Sequence, residues 1–431
     1  MFQTIVNAFK IKEVRNKILI TIALLFVYRL GCYIPVPGVD MFTGLQDFTF
    51  LQIMSAVSGG ALQYGTFFAM GIGPYINASI IIQLLTVGIP KLERLSKQGE
   101  EGKKKINTYT RILTLVLAIA QAIGILVAFG GGNGVNLDKI FGSEGFLGFL
   151  SYAFLVIVYT AGAALTMWIG ERITDYGVSN GISLLIFAGI LATAGTTILG
   201  MFTNWTASSI WVLLGFVLAC ILIFMAIVPV NEAERKIPVQ YAKQVKGRKM
   251  YGGQSTHIPM KVNASGVMPL IFAFAILSFP DLIFNLCGLS VENSSFYAGW
   301  VQWVGTGSWI YMILLCLLIL FFSYFYNQIQ FNPEDVSKNI QQNGGFIPGT
   351  RPGKPTTDYL KKVSGRITLF GAIFLALVAL IPSLVFKAIG GDSLMNVFSA
   401  TGLLIIVSVA LEFEQALQSQ IMMKNYKGFL K

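Results

Sequence analysis

At 431 residues the chain would ordinarily be expected to fold as two or three soluble domains. Hydrophobic residues make up 55% of it and charged residues only 12%, with a mean hydropathy of +0.69. Single soluble cores stop growing near ~250–300 residues, so a soluble protein is excluded, and the net charge of +11 becomes the feature to explain.

Ten apolar stretches of about 20 residues, the length that crosses a bilayer, follow along the chain. They run Ile18–Ile34, Phe67–Ile89, Ile112–Phe129, Phe149–Ile169, Ile182–Leu199, Ile210–Val228, Val267–Phe284, Trp309–Tyr326, Ile367–Phe386 and Met395–Leu417. Lipid offers backbone groups no partner, and these stretches are too long for barrel strands. All ten are therefore predicted as helices of an all-α polytopic membrane protein. Met1–Lys17 is basic and amphipathic, and no small-residue cleavage site follows the first apolar run, so no cleavable signal peptide is expected.

The ten spans sort the connecting segments into two sets. The N-terminus, 90–111, 170–181, 229–266, 327–366 and the C-terminal tail carry 28 of the 31 Lys and Arg, leaving Arg29, Lys139 and Lys387 in the other set. The positive-inside rule then puts both termini in the cytoplasm, with about +15 on that face and about −4 on the other. Five spans in each half (1–205 and 206–431) would make the second half inverted relative to the first, with a functional site between them near the midplane.

Between the first two spans, Leu51–Tyr64 (LQIMSAVSGGALQY) is apolar and then broken at Ser58, Gly59 and Gly60. As a helix it would cover only about 21 Å, too short to cross. It is either an amphipathic helix on the outer surface, the simpler reading, or a re-entrant piece lining a cavity. The second span opens with GIGPYINAS (71–79), and a lipid-facing helix has little use for Asn77 or Gln83. Interhelical hydrogen bonds, at about 0.6–2 kcal/mol each, account for them, and so does the edge of a water-filled path. Ile76 and Ile80 share one helix face, and Ile182 and Ile186 repeat the spacing in the fifth span, a pattern that ordinary packing also produces.

No ionisable residue occupies the middle third of any span; Arg29, Glu412 and Glu414 lie near ends, where snorkelling is cheap. This weighs against a secondary transporter of small solutes with inverted repeats, the alternative that the span count otherwise suits. His257 is the single histidine and lies in a loop, while Cys32, Cys220, Cys287 and Cys316 have no paired spacing. Neither an enzyme nor a metal or other cofactor is expected. No P-loop is present, so energy for any transport must come from a partner.

Two loops of the basic set, 229–266 and 327–366, are longer than connection requires. The first carries Lys243, Lys246, Arg248 and Lys249 within QYAKQVKGRKMY (240–251), and the second carries Arg351 and Lys354 within NGGFIPGTRPGKPT (343–356). Attraction to anionic lipid needs only a few charges near the membrane. Docking of a polyanion such as ribosomal RNA, or of an acidic protein face, accounts for both the length and the charge.

The runs GIGPYINASIIIQLL (71–85), QSTHIPMKVN (254–263) with SGVMPLIF (265–272), and NGGFIPGTRPGKPT (343–356) resemble the SecY family of bacterial protein-conducting channels. The agreement in spans and long loops extends along the whole chain, although NEAERKIPVQ (231–240) departs from the family pattern and no role is carried onto it. The resemblance implies an hourglass pore between two inverted five-helix halves in the bacterial cytoplasmic membrane, opening sideways between the second, third, seventh and eighth spans. It implies a pore ring of Ile76, Ile80, Ile182, Ile186, Ile271 and Ile405. It also implies a plug at about 51–66, including Ser55, Ser58, Gly59 and Gly60, which prefers the re-entrant reading of that segment. Asn77, Gln83 and Gln121 become candidate polar contacts of the lateral gate. Lys243, Lys246, Arg248, Lys249, Arg351 and Lys354 become docking residues for the ribosome and the motor ATPase SecA. The implied partners are SecE and SecG, an unfolded preprotein and its signal sequence.

Overall fold

The structure is a computed structural model describing residues 2–42, 51, 54–55, 57–96, 98–129, 135–142, 145–203, 207–241, 244–246, 249–251, 255–263, 266–286, 295–305, 308–389 and 400–428. Its helices are α1 (Phe2–Lys10), α2 (Lys12–Gly31), α3 (Gly73–Gly88), α4 (Pro90–Ser96), α5 (Glu100–Phe129), α6 (Gly145–Tyr176) and α7 (Gly181–Thr203). They continue as α8 (Ala207–Glu232), α9 (Met268–Leu286), α10 (Ser295–Val304), α11 (Trp309–Gln330), α12 (Pro333–Gln342), α13 (Lys354–Ile389) and α14 (Ala400–Gly428). The ten predicted spans lie on α2, α3, α5, α6, α7, α8, α9, α11, α13 and α14. Among the described residues, four stretches qualify as membrane spans on length and apolarity alone: Glu100–Val127, Gly145–Tyr176, Trp309–Gln342 and Lys354–Ile381. A fifth is the pair α3 and α4, bent by 105°. The bend has a local cause. Ile89 precedes Pro90, and the proline ring drives it to extended backbone (φ −110°, ψ 113°).

Several helices outrun their spans. α5 begins at Glu100, well before Ile112, because Lys103–Lys105 are good helix formers that hydropathy does not register. Glu100 and Glu101 also suit the positive end of the helix dipole. The first five span helices meet the last five along two seams. On one, α5 packs against α9; on the other, α2 and α7 pack against α14.

Strands occur beside the span helices, in the two long loops. The long loops build a small sheet from β1 (Glu234–Tyr241), β4 (Ser255–Lys261) and β5 (Gly345–Phe346), in the order β4-β1-β5, besides a hairpin of β2 (Gln244–Lys246) and β3 (Lys249–Tyr251). β1 runs antiparallel to β4 from Glu234↔Lys261 to Gln240↔Ser255, and to β5 at Gln240↔Phe346. Outside lipid, open strands are allowed, and β1 follows the period-2 rule by burying Ile237 and Val239 between exposed neighbours. These two pack with Met260, Ile340, Ile347, Leu360 and Val363. Both long loops thus belong to one platform with its own apolar core.

Candidate functional site

The six isoleucines come from four helices, α3, α7, α9 and α14, drawn from both sets. Ile80, Ile186 and Ile405 are buried in one apolar cluster, and Ile76, Ile182 and Ile271 are half-buried against it. A constriction lined by branched aliphatic groups offers water no hydrogen bond and sheds it. It also grips no particular sequence.

Beside this cluster, α3 and α11 are joined by a polar contact. The Tyr326 hydroxyl donates to Gln83 Oε1, and the Tyr326 ring stacks on Phe272 of α9 at 4.8 Å and 10°. Gln121, on α5, is 2% exposed, and its amide has no hydrogen-bond partner among the described residues, a cost of about 1–3 kcal/mol for a buried amide. Asn77 is half-buried on α3.

Segment 51–66 does not lie on the surface as an amphipathic helix. Leu51, Met54, Ser58, Ala61 and Leu62 are all buried, and Leu51, Met54 and Leu62 share a cluster with Ile125 and Phe129 of α5. The Ser58 hydroxyl is satisfied within the segment: its Oγ donates to the Ser55 carbonyl (3.1 Å) and accepts from the Leu62 amide (3.4 Å). Gly59 and Gly60 turn the chain at φ +72° and +84°, which side chains resist, and the Gly60 amide returns to the Ser55 carbonyl at 2.8 Å. On α7, a Cβ at Gly189 would stand 1.9 Å from the Val57 carbonyl, so only glycine admits the segment there.

On the platform, Arg351 projects exposed from a tightly pinned turn. Thr350 Oγ1 donates to the Ile347 carbonyl (3.1 Å), Thr356 Oγ1 to the Arg351 carbonyl (2.8 Å) and Ser337 Oγ to the Gly353 carbonyl (3.0 Å). Lys354 is exposed at the start of α13. Lys246 and Lys249 are register partners in the β2–β3 hairpin. Lys243 and Arg248 lie outside the described residues. Sequence reasoning missed what anchors the platform. Asn263 Nδ2 donates to Asn231 Oδ1 (2.8 Å), Asn231 Nδ2 to Ser408 Oγ (3.0 Å) and Lys261 Nζ to Gln415 Oε1 (2.7 Å), tying the root of the β1–β4 hairpin to α14. The available signal was a serine, Ser408, in an otherwise apolar run of the tenth span.

The SecY family model matches residues 66–414. The chain is 40% identical to Protein translocase subunit SecY of Streptomyces scabiei, covering 100% of both chains, and 42% identical to that of Corynebacterium glutamicum, covering 99% of both. Among solved structures it is similar to one described as a protein conducting channel, with a TM-score of 0.63 at 20% identity over 94% of this chain and 92% of that one. It is also similar to canine Sec61 in a ribosome–channel complex, with a TM-score of 0.58 at 18% identity and the same coverage. Those distant likenesses carry the fold, while the full-length identity to the bacterial relatives carries the kinship: the chain belongs to the SecY family.

Proposed function

We propose that unfolded polypeptide passes between the two sets of helices through the isoleucine ring, with segment 51–66 as the plug that seals it at rest. The chain is a protein-conducting channel in a membrane and not itself an enzyme. The observation that carries this reading is the convergence of Ile76, Ile80, Ile182, Ile186, Ile271 and Ile405, from four helices, in or against one apolar cluster. Such a collar excludes ions yet yields to a chain of any sequence.

The platform is the docking face for SecA and the ribosome, with Arg351, Lys354, Lys246 and Lys249 as its basic contacts, together with Lys243 and Arg248 of the same loop sequence. SecE and SecG complete the channel. The seam of α3 and α5 against α9 and α11 is the lateral exit, where Gln83, Asn77 and Gln121 meet a signal sequence on its way into lipid. The halves divide near 205, both termini face the cytoplasm, and the membrane is the bacterial cytoplasmic one, whose anionic lipid also suits the basic face. A vesicle assay tests the whole reading. Reconstituted with SecE and SecA, the chain should move an unfolded preprotein into vesicles when ATP is added; uptake of a small solute without preprotein movement would sink it.

A further inference from the structure

The broken end of segment 51–66 is held from outside by a cation. Arg29, near the end of α2, donates from Nη1 to the Gly59 carbonyl at 3.2 Å. Its Nη2 reaches the Tyr33 hydroxyl at 3.4 Å, and the guanidinium lies over the Tyr33 ring, 5.1 Å from the centroid. Cys32, on the next turn and only 3% exposed, places its Sγ 3.8 Å from the Ser58 carbonyl. These two carbonyls follow the helical positions Met54, Ser55 and Val57, just where the chain turns out through Gly59 and Gly60. A turn of this kind leaves backbone acceptors unpaired, and a positive charge suits them.

The fit is tight on the glycine side. A Cβ at Gly59 would stand 2.3 Å from Arg29 Nη1, so a side chain there would push the guanidinium off the carbonyl, and the φ of +72° independently favours glycine. Opposite, Gly189 of α7 faces the Val57 carbonyl with backbone alone. Among the described hydrogen bonds reaching 54–60 from outside, the one from Arg29 is the charged one, and such bonds are about twice as strong as neutral ones. Tyr33 is 64% exposed. If the plug leaves, the guanidinium keeps Tyr33 and gains water, so opening strands no buried charge.

We propose that Arg29 is a positioning residue for the plug: oriented by Tyr33, it holds the carbonyl of the plug's glycine turn and sets how often the plug leaves its seat. This rests on reading 51–66 as the plug. Cys32, shielded beneath the Ser58 carbonyl, supplies a direct probe. In full-length chain with SecE in vesicles, Cys220, Cys287 and Cys316 are replaced by Ala, and Cys32 alkylation by a polar maleimide is timed alongside resting ion conductance. Arg29→Gln should raise both by about tenfold, the population shift expected for losing a charged hydrogen bond, while Arg29→Lys stays closer to the parent. Tyr33→Leu, which keeps Arg29 itself, should raise both by about threefold as an oriented cation becomes a loose one. Unchanged labelling and conductance in Arg29→Gln overturn the proposal; if that variant does not fold, unchanged values in Tyr33→Leu overturn it. Deleting 54–64 separates the two ideas. A leaky deletion with a tight Arg29→Gln refutes the latch alone, whereas a tight deletion refutes the plug.

Discussion

Two segments of this chain lie outside the span helices and are built in opposite ways. The platform carries its own apolar core of Ile237, Val239, Met260, Ile340, Ile347, Leu360 and Val363, a continuous strand ladder, and side-chain bonds that root it in α14. The plug segment has no core of its own. It lends Leu51, Met54 and Leu62 to a cluster that belongs to the surrounding helices, and it ends in a glycine turn gripped by hydrogen bonds to carbonyls. A self-supporting body can present charge in a fixed geometry, whereas a borrowed seat can be vacated without unfolding anything else.

If the division holds, damage to each region should leave the other's task intact. The largest effect belongs to Arg351→Glu. Its side chain is exposed and its turn is held by Thr350, Thr356 and Ser337, so the substitution leaves the platform folded. Reversing a charge at a docking contact costs about 2–5 kcal/mol or more, so SecA-driven preprotein uptake should fall by about a hundredfold, with SecE binding and resting conductance unchanged. Normal uptake would remove Arg351 from the docking face. A rise in conductance would instead show that platform and plug are coupled.

The second effect is the mirror image. Deleting 54–64 should raise resting conductance by about tenfold or more as the outer seal is lost, while preprotein uptake continues, because the apolar ring still narrows the path. Loss of uptake without a leak would assign the segment to folding and erase the contrast.

The same contrast explains how much could be seen in the sequence. Spans announce themselves because a bilayer imposes one length and one polarity on each, and all ten fall on helices. The spacing of Ile76 with Ile80 and of Ile182 with Ile186 is visible locally, but their meeting with Ile271 and Ile405 depends on how four helices pack. The platform strands were not foreseen. Ile237 and Val239 flank Pro238, which breaks the usual strand signature, and β5 is only two residues long, with its partner far back in the chain. Gln83 was legible as an odd residue for a lipid-facing helix, but its partner Tyr326 lies 243 positions away, beyond any local rule. The arginine behind the plug was visible only as a stray charge near a span end.

The seam between α3 and α11 falls between the two designs, and it yields the smallest expected effect. On the proposed reading it must part, as segment 51–66 must; like the platform, it carries a specific side-chain pair. Gln83 and Tyr326 share one hydrogen bond, with the Tyr326 ring backed by Phe272. Neutral hydrogen bonds between membrane helices average only about 0.6 kcal/mol, so Tyr326→Phe, which keeps the stack and removes the hydroxyl, should favour the parted state by about threefold. Gln83→Leu should do the same, and the double variant should be no more open than either single, because each removes the same bond. Crosslinking between cysteines introduced on α3 and α11 measures the parted fraction. Additive effects would mean that Gln83 and Tyr326 act separately, and a closed seam in both singles would mean that apolar packing alone holds it shut.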